Sequence, residues 1–250
     1  MKLSVCIDAV MSGISPEEAL LRLKRIGVEA FEFWGWWDKD MDALCRAIKS
    51  TGLVPAAMCT KMVSLTDPAR REEYLLGLRE SVAMAQKIGC KTLISQTGND
   101  TGADREFQHQ SLLDGLRAAV SILEAAGITL VVEPLNTYVD HPGYYLSSSA
   151  EGFALVEEVD SPNVKLLYDM YHQQIMEGNI IDTVTKNIGK IGHFHAAGVP
   201  GRHELQGGEL AYRTIFDAID AAGYSGYIGL EYFPKNTPEE GILGWMLQKN

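Results

Sequence analysis

Residues 126–133 read AGITLVVE, in which a glycine precedes a short apolar run that ends on Glu133. The run is rich in β-branched residues, as buried strands are, and the glycine suits the left-handed position that ends a helix. The same arrangement of helical pattern, glycine and strand-like run occurs at four other places, namely Gly27, Gly52, Gly89 and Gly223. The chain therefore alternates between amphipathic helices and short buried strands.

The alternation extends over the whole sequence and gives eight strands. We predict them at Leu3–Ile7, Ala30–Phe33, Leu53–Met58, Thr92–Ser95, Thr129–Glu133, Val164–Asp169, His193–Ala196 and Gly226–Glu231. Helical patterns lie between them, for example at Pro16–Ile26, Met41–Ser50, Pro68–Ile88, Phe107–Ala126, Glu151–Val159 and Leu210–Ala222. A further helix is expected at Thr237–Asn250.

Strands that alternate with helices form parallel sheets through crossover connections. Eight such units in 250 residues predict closure into a barrel. The alternative is an open doubly wound sheet, but no GxGxxG motif follows the first strand. We therefore predict an α/β fold in which residues 1–250 form one catalytic domain, a single-domain (β/α)8 TIM barrel.

Charge and hydropathy limit the possible partners. The chain has 33 acidic and 22 basic residues, a formal net charge of -11. This balance disfavours nucleic acid, whose binding needs a clustered basic face. No apolar run approaches the ~20 residues of a membrane span, and the N-terminus lacks a signal-peptide pattern. We expect a cytoplasmic enzyme that acts on a small molecule, without membrane or nucleic-acid partners.

A TIM barrel has its active site at the carboxyl ends of its strands. Four consecutive predicted strands end on an acid or an imidazole, namely Glu133, Asp169, His195 and Glu231. One such acid alone is often only a cap or an ion-pair partner, but three at one level would repel one another without a cation. Carboxylate and imidazole ligands suit one divalent ion, such as Mn²⁺, Mg²⁺ or Co²⁺. We predict a metal centre at these four residues.

Other candidate residues lie near the same end of the barrel. His172 follows strand six and is expected in a loop, whereas His193 shares strand seven with His195 and is expected to be a packed interior residue. Arg202 lies in a long loop and is either a clamp for a substrate oxygen or a solvated charge. Residues 34–37 include three tryptophans, which would either wall a small pocket or cover the barrel top.

In these segments the chain resembles the hydroxypyruvate isomerase family of the xylose-isomerase-like TIM barrels, which are sugar isomerases and epimerases. The resemblance covers the full length and is strongest at EPLNT (133–137), HPGYYL (141–146), YDMYH (168–172) and residues 198–209. It implies one divalent metal on the four predicted ligands, with Glu133 and Glu231 also acting as the catalytic acid/base pair. It further implies that His172 and Arg202 contact the substrate, and a homo-oligomer is expected by analogy with such barrels.

The resemblance implies isomerisation or epimerisation of a small hydroxy-carbonyl compound through an enediolate. The substrate would be a hydroxypyruvate-like keto acid or a short ketose. Hydroxypyruvate isomerases typically have glutamine at the end of strand seven, whereas this chain has His195, as is usual in ketose 3-epimerases. A ketose 3-epimerase therefore stays open, as does a sugar-acid dehydratase or decarboxylase on the same barrel. The related endonuclease IV needs further histidines after earlier strands, where this chain has Cys59 and Gln96.

Overall fold

The computed structural model describes residues 1–246 and contains a closed barrel of eight parallel strands. The strands are β1 Lys2–Cys6, β2 Ala30–Phe33, β3 Val54–Cys59, β4 Thr92–Ser95, β5 Thr129–Val132, β6 Val164–Asp169, β7 Ile191–Ala196 and β8 Tyr227–Leu230. Each strand pairs with its neighbours in sequence, and β8 closes the barrel against β1. The predicted fold is confirmed, with every strand present close to its predicted ends.

Helices cover the outside of the barrel. They are α1 Ile7–Val10, α2 Pro16–Arg25, α3 Met41–Thr51, α4 Arg71–Ile88, α5 Arg105–Ala126, α6 Ser149–Val159, α7 Met170–Met176, α8 Ile180–Lys186, α9 Tyr212–Ala221 and α10 Pro238–Met246. Two 3₁₀ turns, Pro68–Arg70 and Ile188–Lys190, precede α4 and β7. The predicted terminal helix is present up to Met246, and its last four positions lie outside the described residues.

The residues expected to begin and to end the predicted helices do so in the structure. Gly52, Gly89 and Gly127 end α3, α4 and α5 with φ of 70°, 80° and 60°, in the left-handed region that glycine adopts without strain. The Ser15 hydroxyl accepts a hydrogen bond from the backbone N–H of Glu18 at the start of α2. These local signals set the lengths of the units that repeat around the barrel.

Side chains alternate between the barrel interior and the helix layer. On β2, Phe31 and Phe33 belong to the main hydrophobic core shared with the helices, so Glu32 between them faces the interior. The interior has an apolar part from β3 to β6, formed by Ala57, Cys59, Ile94, Val131 and Leu167. It also has a buried polar part on β1, β2 and β7, formed by Ser4, Glu32, His193 and His195. This polar part includes His195, one of the predicted metal ligands.

The segment after β6 differs from the expectation. It forms the short helices α7 and α8 rather than a loop, so His172 is helical. Seven residues are too few for a clear helical periodicity, which is why the pattern did not predict them. Among residues 1–246, no helix is long and apolar enough to cross a membrane.

Candidate metal centre

The four predicted ligands lie together at the carboxyl end of the barrel. Glu133 and Glu231 directly follow β5 and β8, Asp169 ends β6, and His195 is the penultimate residue of β7. All four side chains are buried, and one ligand atom of each lies within 4.8 Å of those of the other three. Strand register is responsible, because Asp169 pairs directly with His195 in the sheet. The fold therefore brings together the acids and the imidazole that the sequence singled out.

The donor set fits a divalent cation. Nδ1 of His195 lies 3.4 Å from Oε2 of Glu231 and 3.6 Å from Oε1 of Glu133. This nitrogen is buried and has no hydrogen-bond partner among the described residues, an arrangement that is costly unless a ligand satisfies it. Three carboxylates and one unpartnered imidazole nitrogen suit Mn²⁺, Mg²⁺, Co²⁺ or a similar ion.

The pKa values of the clustered groups are strongly shifted by burial and by one another, and a bound cation would reduce the repulsion between the carboxylates. Burial raises the pKa of Asp169 to about 7, and Glu133 and Glu231 add to the rise while Arg202 and His195 oppose it. Burial would also raise the pKa of Glu231, but His195 and Arg202 hold it well below its usual value. Burial would lower the pKa of His195, yet the carboxylates around it hold that pKa well above normal. Asp169 and His195 therefore carry protons near neutral pH at the position where a metal would bind.

Two donors hold Glu231 in position. The indole Nε1 of Trp34 donates a 2.6 Å hydrogen bond to Oε1, and the Arg202 guanidinium donates to Oε2. Trp34 is itself anchored, because its backbone N–H donates to Oδ2 of Asp8 at 2.7 Å. Trp34 also lines the cavity at the barrel mouth, whereas Trp37 is 41% exposed. Of the tryptophans after β2, Trp34 is therefore the one that walls the pocket.

Arg202 lies on the carboxylate cluster rather than in solvent. Its guanidinium pairs with Glu231, lies 3.9 Å from Oδ2 of Asp169 and stacks over the Tyr171 ring at 5.2 Å. Its backbone has φ of 56°, a left-handed conformation that costs a non-glycine residue roughly 1 kcal/mol or more. The ion pairs and the ring contact offset this cost and fix the loop over the site.

Sequence reasoning missed Glu32, which lies beneath His195. Its Oε2 accepts hydrogen bonds from Nε2 of His193 at 2.8 Å and from the Ser4 hydroxyl at 3.0 Å, and its Oε1 lies 3.0 Å from Nε2 of His195. Burial would raise its pKa, but the two histidines lower it to about 2. The alternation in Ala-Phe-Glu-Phe was the available signal, because outward phenylalanines require an inward glutamate.

Glycine at position 229 makes room for this carboxylate. Gly229 is on β8 opposite His195, and a Cβ atom there would lie 2.0 Å from Oε1 of Glu32. Any larger residue would displace Glu32 from the histidines. His193, which was expected to be a packed interior residue, is the hydrogen-bonded partner of Glu32 in this buried cluster.

His172 reaches the site from α7. Asp169 caps this helix by accepting a 2.8 Å hydrogen bond from the backbone N–H of Tyr171, so the helix starts at the candidate metal centre. His172 is completely buried, and its Nε2 lies 3.5 Å from Oδ2 of Asp169. Burial, together with the charge of Arg202, lowers its pKa well below the usual value. His172 is therefore a neutral ring in contact with the carboxylate cluster.

A cavity of about 290 Å³ lies at the mouth and is bounded by three of the predicted ligands together with His172 and Arg202. Its remaining wall is mainly apolar and includes Cys59, Ile94 and the Gln96 side chain from the ends of β3 and β4. The volume suits a small molecule of a few carbon atoms. The ends of β3 and β4 thus provide a thiol and an amide rather than further metal-binding histidines.

Comparisons with known proteins agree with this architecture. Residues 20–248 match the family model of the xylose isomerase-like TIM barrel, and the chain belongs to that family. It is 42% identical over 180 residues to the 2-oxo-tetronate isomerase of Cupriavidus necator, covering 72% of this chain and 68% of the relative. It is 36% identical over 180 residues to the hydroxypyruvate isomerase of Escherichia coli K12, covering 72% and 69%. These relatives confirm the predicted resemblance and the predicted enzyme class, an isomerase.

Solved structures show the same fold. An AP endonuclease of family 2 from Brucella melitensis superposes with a TM-score of 0.94 at 29% identity, over 99% of both chains. The IolI protein with a bound zinc atom superposes with a TM-score of 0.83 at 18% identity, over 100% of this chain and 96% of the other. At the latter identity the likeness concerns the fold alone.

Proposed function

We propose that this chain, acting as one domain over residues 1–250, is a divalent-metal-dependent isomerase of a small hydroxy-carbonyl compound. The observation that carries the proposal is the group of four buried donors, in which Nδ1 of His195 lacks a partner among the described residues. The curated relatives act on hydroxypyruvate and on 2-oxo-tetronate. A short 2-oxo acid with a neighbouring hydroxyl is therefore the first substrate class to test, with short ketoses second.

Glu133, Asp169, His195 and Glu231 would hold the ion, which we propose to be Mn²⁺, Mg²⁺ or Co²⁺. A solved structure of the same fold contains a bound zinc atom, so a barrel of this kind can hold a metal ion. When bound, the ion would supply Lewis-acid stabilisation of the negative charge that develops on the substrate.

The two glutamates serve as the acid/base pair in this proposal. They follow β5 and β8, with β6 and β7 between them, so they approach a substrate from different sides of the mouth. His195 and Arg202 keep Glu231 ionised, the form needed to accept a proton from the carbon beside the carbonyl. Return of the proton to the neighbouring carbon of the enediolate, with transfer of the hydroxyl proton from one enediolate oxygen to the other, completes an isomerisation. Return to the opposite face of the same carbon completes an epimerisation.

His172 and Arg202 act in this proposal on the substrate oxygens. Both line the cavity beside the carboxylate cluster and both carry N–H donors. Donors aimed at an oxygen that gains negative charge stabilise the transition state more than the bound substrate. Arg202 would exchange part of its present pairing with Glu231 for the substrate.

One observation favours a second candidate, a ketose 3-epimerase. The β7 ligand is His195, the residue that resemblance associates with those epimerases, rather than glutamine. Product analysis separates the candidates, because an epimerase inverts one centre while an isomerase moves the carbonyl. A dehydratase or decarboxylase would instead release water or carbon dioxide.

The test is hydrogen exchange catalysed by chelator-stripped protein in D₂O. Mn²⁺, Mg²⁺ or Co²⁺ is restored singly, and hydroxypyruvate, 2-oxo-tetronate and a panel of ketoses are followed by proton NMR and mass spectrometry. We expect metal-dependent deuterium uptake at the carbon beside the carbonyl. Replacement of either catalytic glutamate by glutamine, in Glu133→Gln or Glu231→Gln, should lower exchange by about 10²–10⁴-fold.

The matched control is Glu177→Gln, which changes a glutamate that accepts hydrogen bonds from Ser149 at the start of α6. It should exchange at nearly the unmodified rate. Near-native exchange in either catalytic variant would show that the acid/base assignment is wrong. Exchange that needs no metal would overturn the metal-dependent mechanism.

A further inference from the structure

The proton on His172 has a fixed position that follows from its neighbours. Nδ1 of His172 lies 3.2 Å from the backbone nitrogen of Asn136, in a hydrogen bond where the peptide N–H can only donate. Nδ1 must therefore accept. In a neutral imidazole the other nitrogen then carries the proton, so His172 has its N–H at Nε2.

The side chain of Asn136 supplies a second donor to the same nitrogen. Its Nδ2 lies 2.7 Å from Nδ1 of His172, and its second N–H donates to Oδ2 of Asp140 at 2.6 Å. The amide cannot be turned round, because its Oδ1 already accepts from the backbone N–H groups of Val139 and Asp140, both at 3.0 Å. Backbone groups thus orient Asn136, and Asn136 orients the proton of His172.

The N–H group at Nε2 of His172 has no hydrogen-bond acceptor in the described part of the chain. Nε2 of His172 is buried and has no hydrogen-bond partner among residues 1–246, although Oδ2 of Asp169 lies 3.5 Å away. The ring lines the cavity at the barrel mouth. An N–H in this position is a donor that a substrate oxygen can accept from.

We propose that Asn136 is a positioning residue that holds His172 as the neutral Nε2–H tautomer. His172 then acts as a hydrogen-bond donor to a substrate oxygen. A proton at Nδ1 would face the backbone N–H and the amide N–H of Asn136 and would break both hydrogen bonds. The tautomer itself follows from these contacts, while its catalytic use rests on the proposed function.

The first experiment observes the tautomer directly in the full chain labelled with ¹⁵N-histidine. Long-range ¹H–¹⁵N spectra are recorded for the metal-free and the Mg²⁺-loaded protein, and the His172→Gln variant identifies the resonances. We expect an unprotonated Nδ1 and a protonated Nε2 in both spectra, because the N–H groups of Asn136 leave Nδ1 only an acceptor role. A proton on Nδ1, or a doubly protonated ring at neutral pH, would overturn the proposal.

The second experiment exchanges the donor for an acceptor. In the double variant Asn136→Asp/Asp140→Asn, a carboxylate faces Nδ1 while total charge and size stay the same; Asp140→Asn alone is the control, because it keeps the Asn136 amide. We expect the double variant to transfer protonation to Nδ1 in a measurable fraction of molecules. Turnover of the fastest-exchanging compound should fall by about 10²-fold, the usual cost of losing one such donor, with metal affinity near that of the unmodified chain.

An unchanged tautomer in the double variant would overturn the role of Asn136. A changed tautomer with unchanged turnover would overturn the catalytic use of His172. If no compound exchanges in the unmodified chain, the proposed function fails, while the ¹⁵N spectra still decide the tautomer. The two proposals therefore fail in different measurements.

Discussion

Replacement of Glu32 by glutamine should weaken metal binding, although Glu32 is not one of the predicted ligands. Glu32 approaches Nε2 of His195 at 3.0 Å and accepts from Nε2 of His193 at 2.8 Å. The negative charge of Glu32 at this distance favours a proton on the Nε2 side of the His195 ring, which leaves Nδ1 free to bind a cation. Glutamine has the same shape but only one oxygen, so at least one of the histidines would face an N–H instead of an acceptor.

The size of the effect follows from this arrangement. Loss of a partner that orients a metal-binding histidine typically lowers metal affinity by about 10–100-fold, which is about 1.4–2.8 kcal/mol. Glu32 is also a buried negative charge near the site, and its removal weakens attraction for a cation in the same direction. We therefore expect the Glu32→Gln variant to fall in the upper part of this range.

The assay is calorimetric titration of Mn²⁺ or Co²⁺ into chelator-stripped protein. Gly229→Ala provides an independent route to the same change, because the added Cβ would lie 2.0 Å from Oε1 of Glu32 and force the carboxylate away. Ser4→Ala is the milder control, since it removes one hydrogen bond to Oε2 and keeps both histidine contacts. Metal affinity should decrease from the unmodified protein to Ser4→Ala, and should be lowest in Glu32→Gln and Gly229→Ala.

Unchanged metal affinity in both Glu32→Gln and Gly229→Ala, with the fold intact by circular dichroism, would refute the reasoning. It would mean that the orientation of His195 does not depend on Glu32. Equal losses in all three variants would instead indicate a general loss of packing in the polar part of the barrel interior.

Two further outcomes are expected. The pKa of Asp169 is raised to about 7 and His195 also retains a proton near neutrality, so a metal ion must displace protons and metal affinity should fall as pH is lowered through 7. Calorimetric titration in buffers of different ionisation enthalpy would report the protons released, and a metal affinity that does not depend on pH would contradict this. Asp104→Ala should lower the free energy of unfolding by about 1 kcal/mol, because Asp104 caps α5 by accepting from the N–H groups of Glu106 and Phe107; urea titration measures it, and an unshifted midpoint would count against the cap.

The sequence predicted the group of ligands because strand ends are a local property with a global consequence. In a parallel barrel every strand ends at the same face, so the three acids and the histidine at four consecutive strand ends must meet. Glu133 and Glu231 could thus be brought together without knowledge of any side-chain contact. The spacing between strands was sufficient, because an error of a residue or two in a predicted strand boundary still leaves that strand end at the same end of the barrel.

The partners of those ligands could not be predicted in the same way. Trp34 lies about two hundred positions before its partner Glu231, and Glu32 lies more than one hundred and fifty positions before its partner His195. Each pair forms across the barrel rather than along one strand. Arg202 was open to two interpretations, because its loop conformation alone decides whether the guanidinium reaches the carboxylates. Such contacts depend on rotamers and on loop geometry that no short sequence pattern specifies.

By itself the sequence determined the class of fold, the order of its strands and the residues at the barrel mouth. These follow from hydrophobic periodicity, helix-ending glycines and the polarity of strand ends, all of which are local. Only the tertiary structure decided which nitrogen of His195 faces the cluster, where the His172 proton lies and what holds Glu231. Those features arise from directional contacts of about 3 Å between distant segments, and direction at that scale is set by packing in three dimensions.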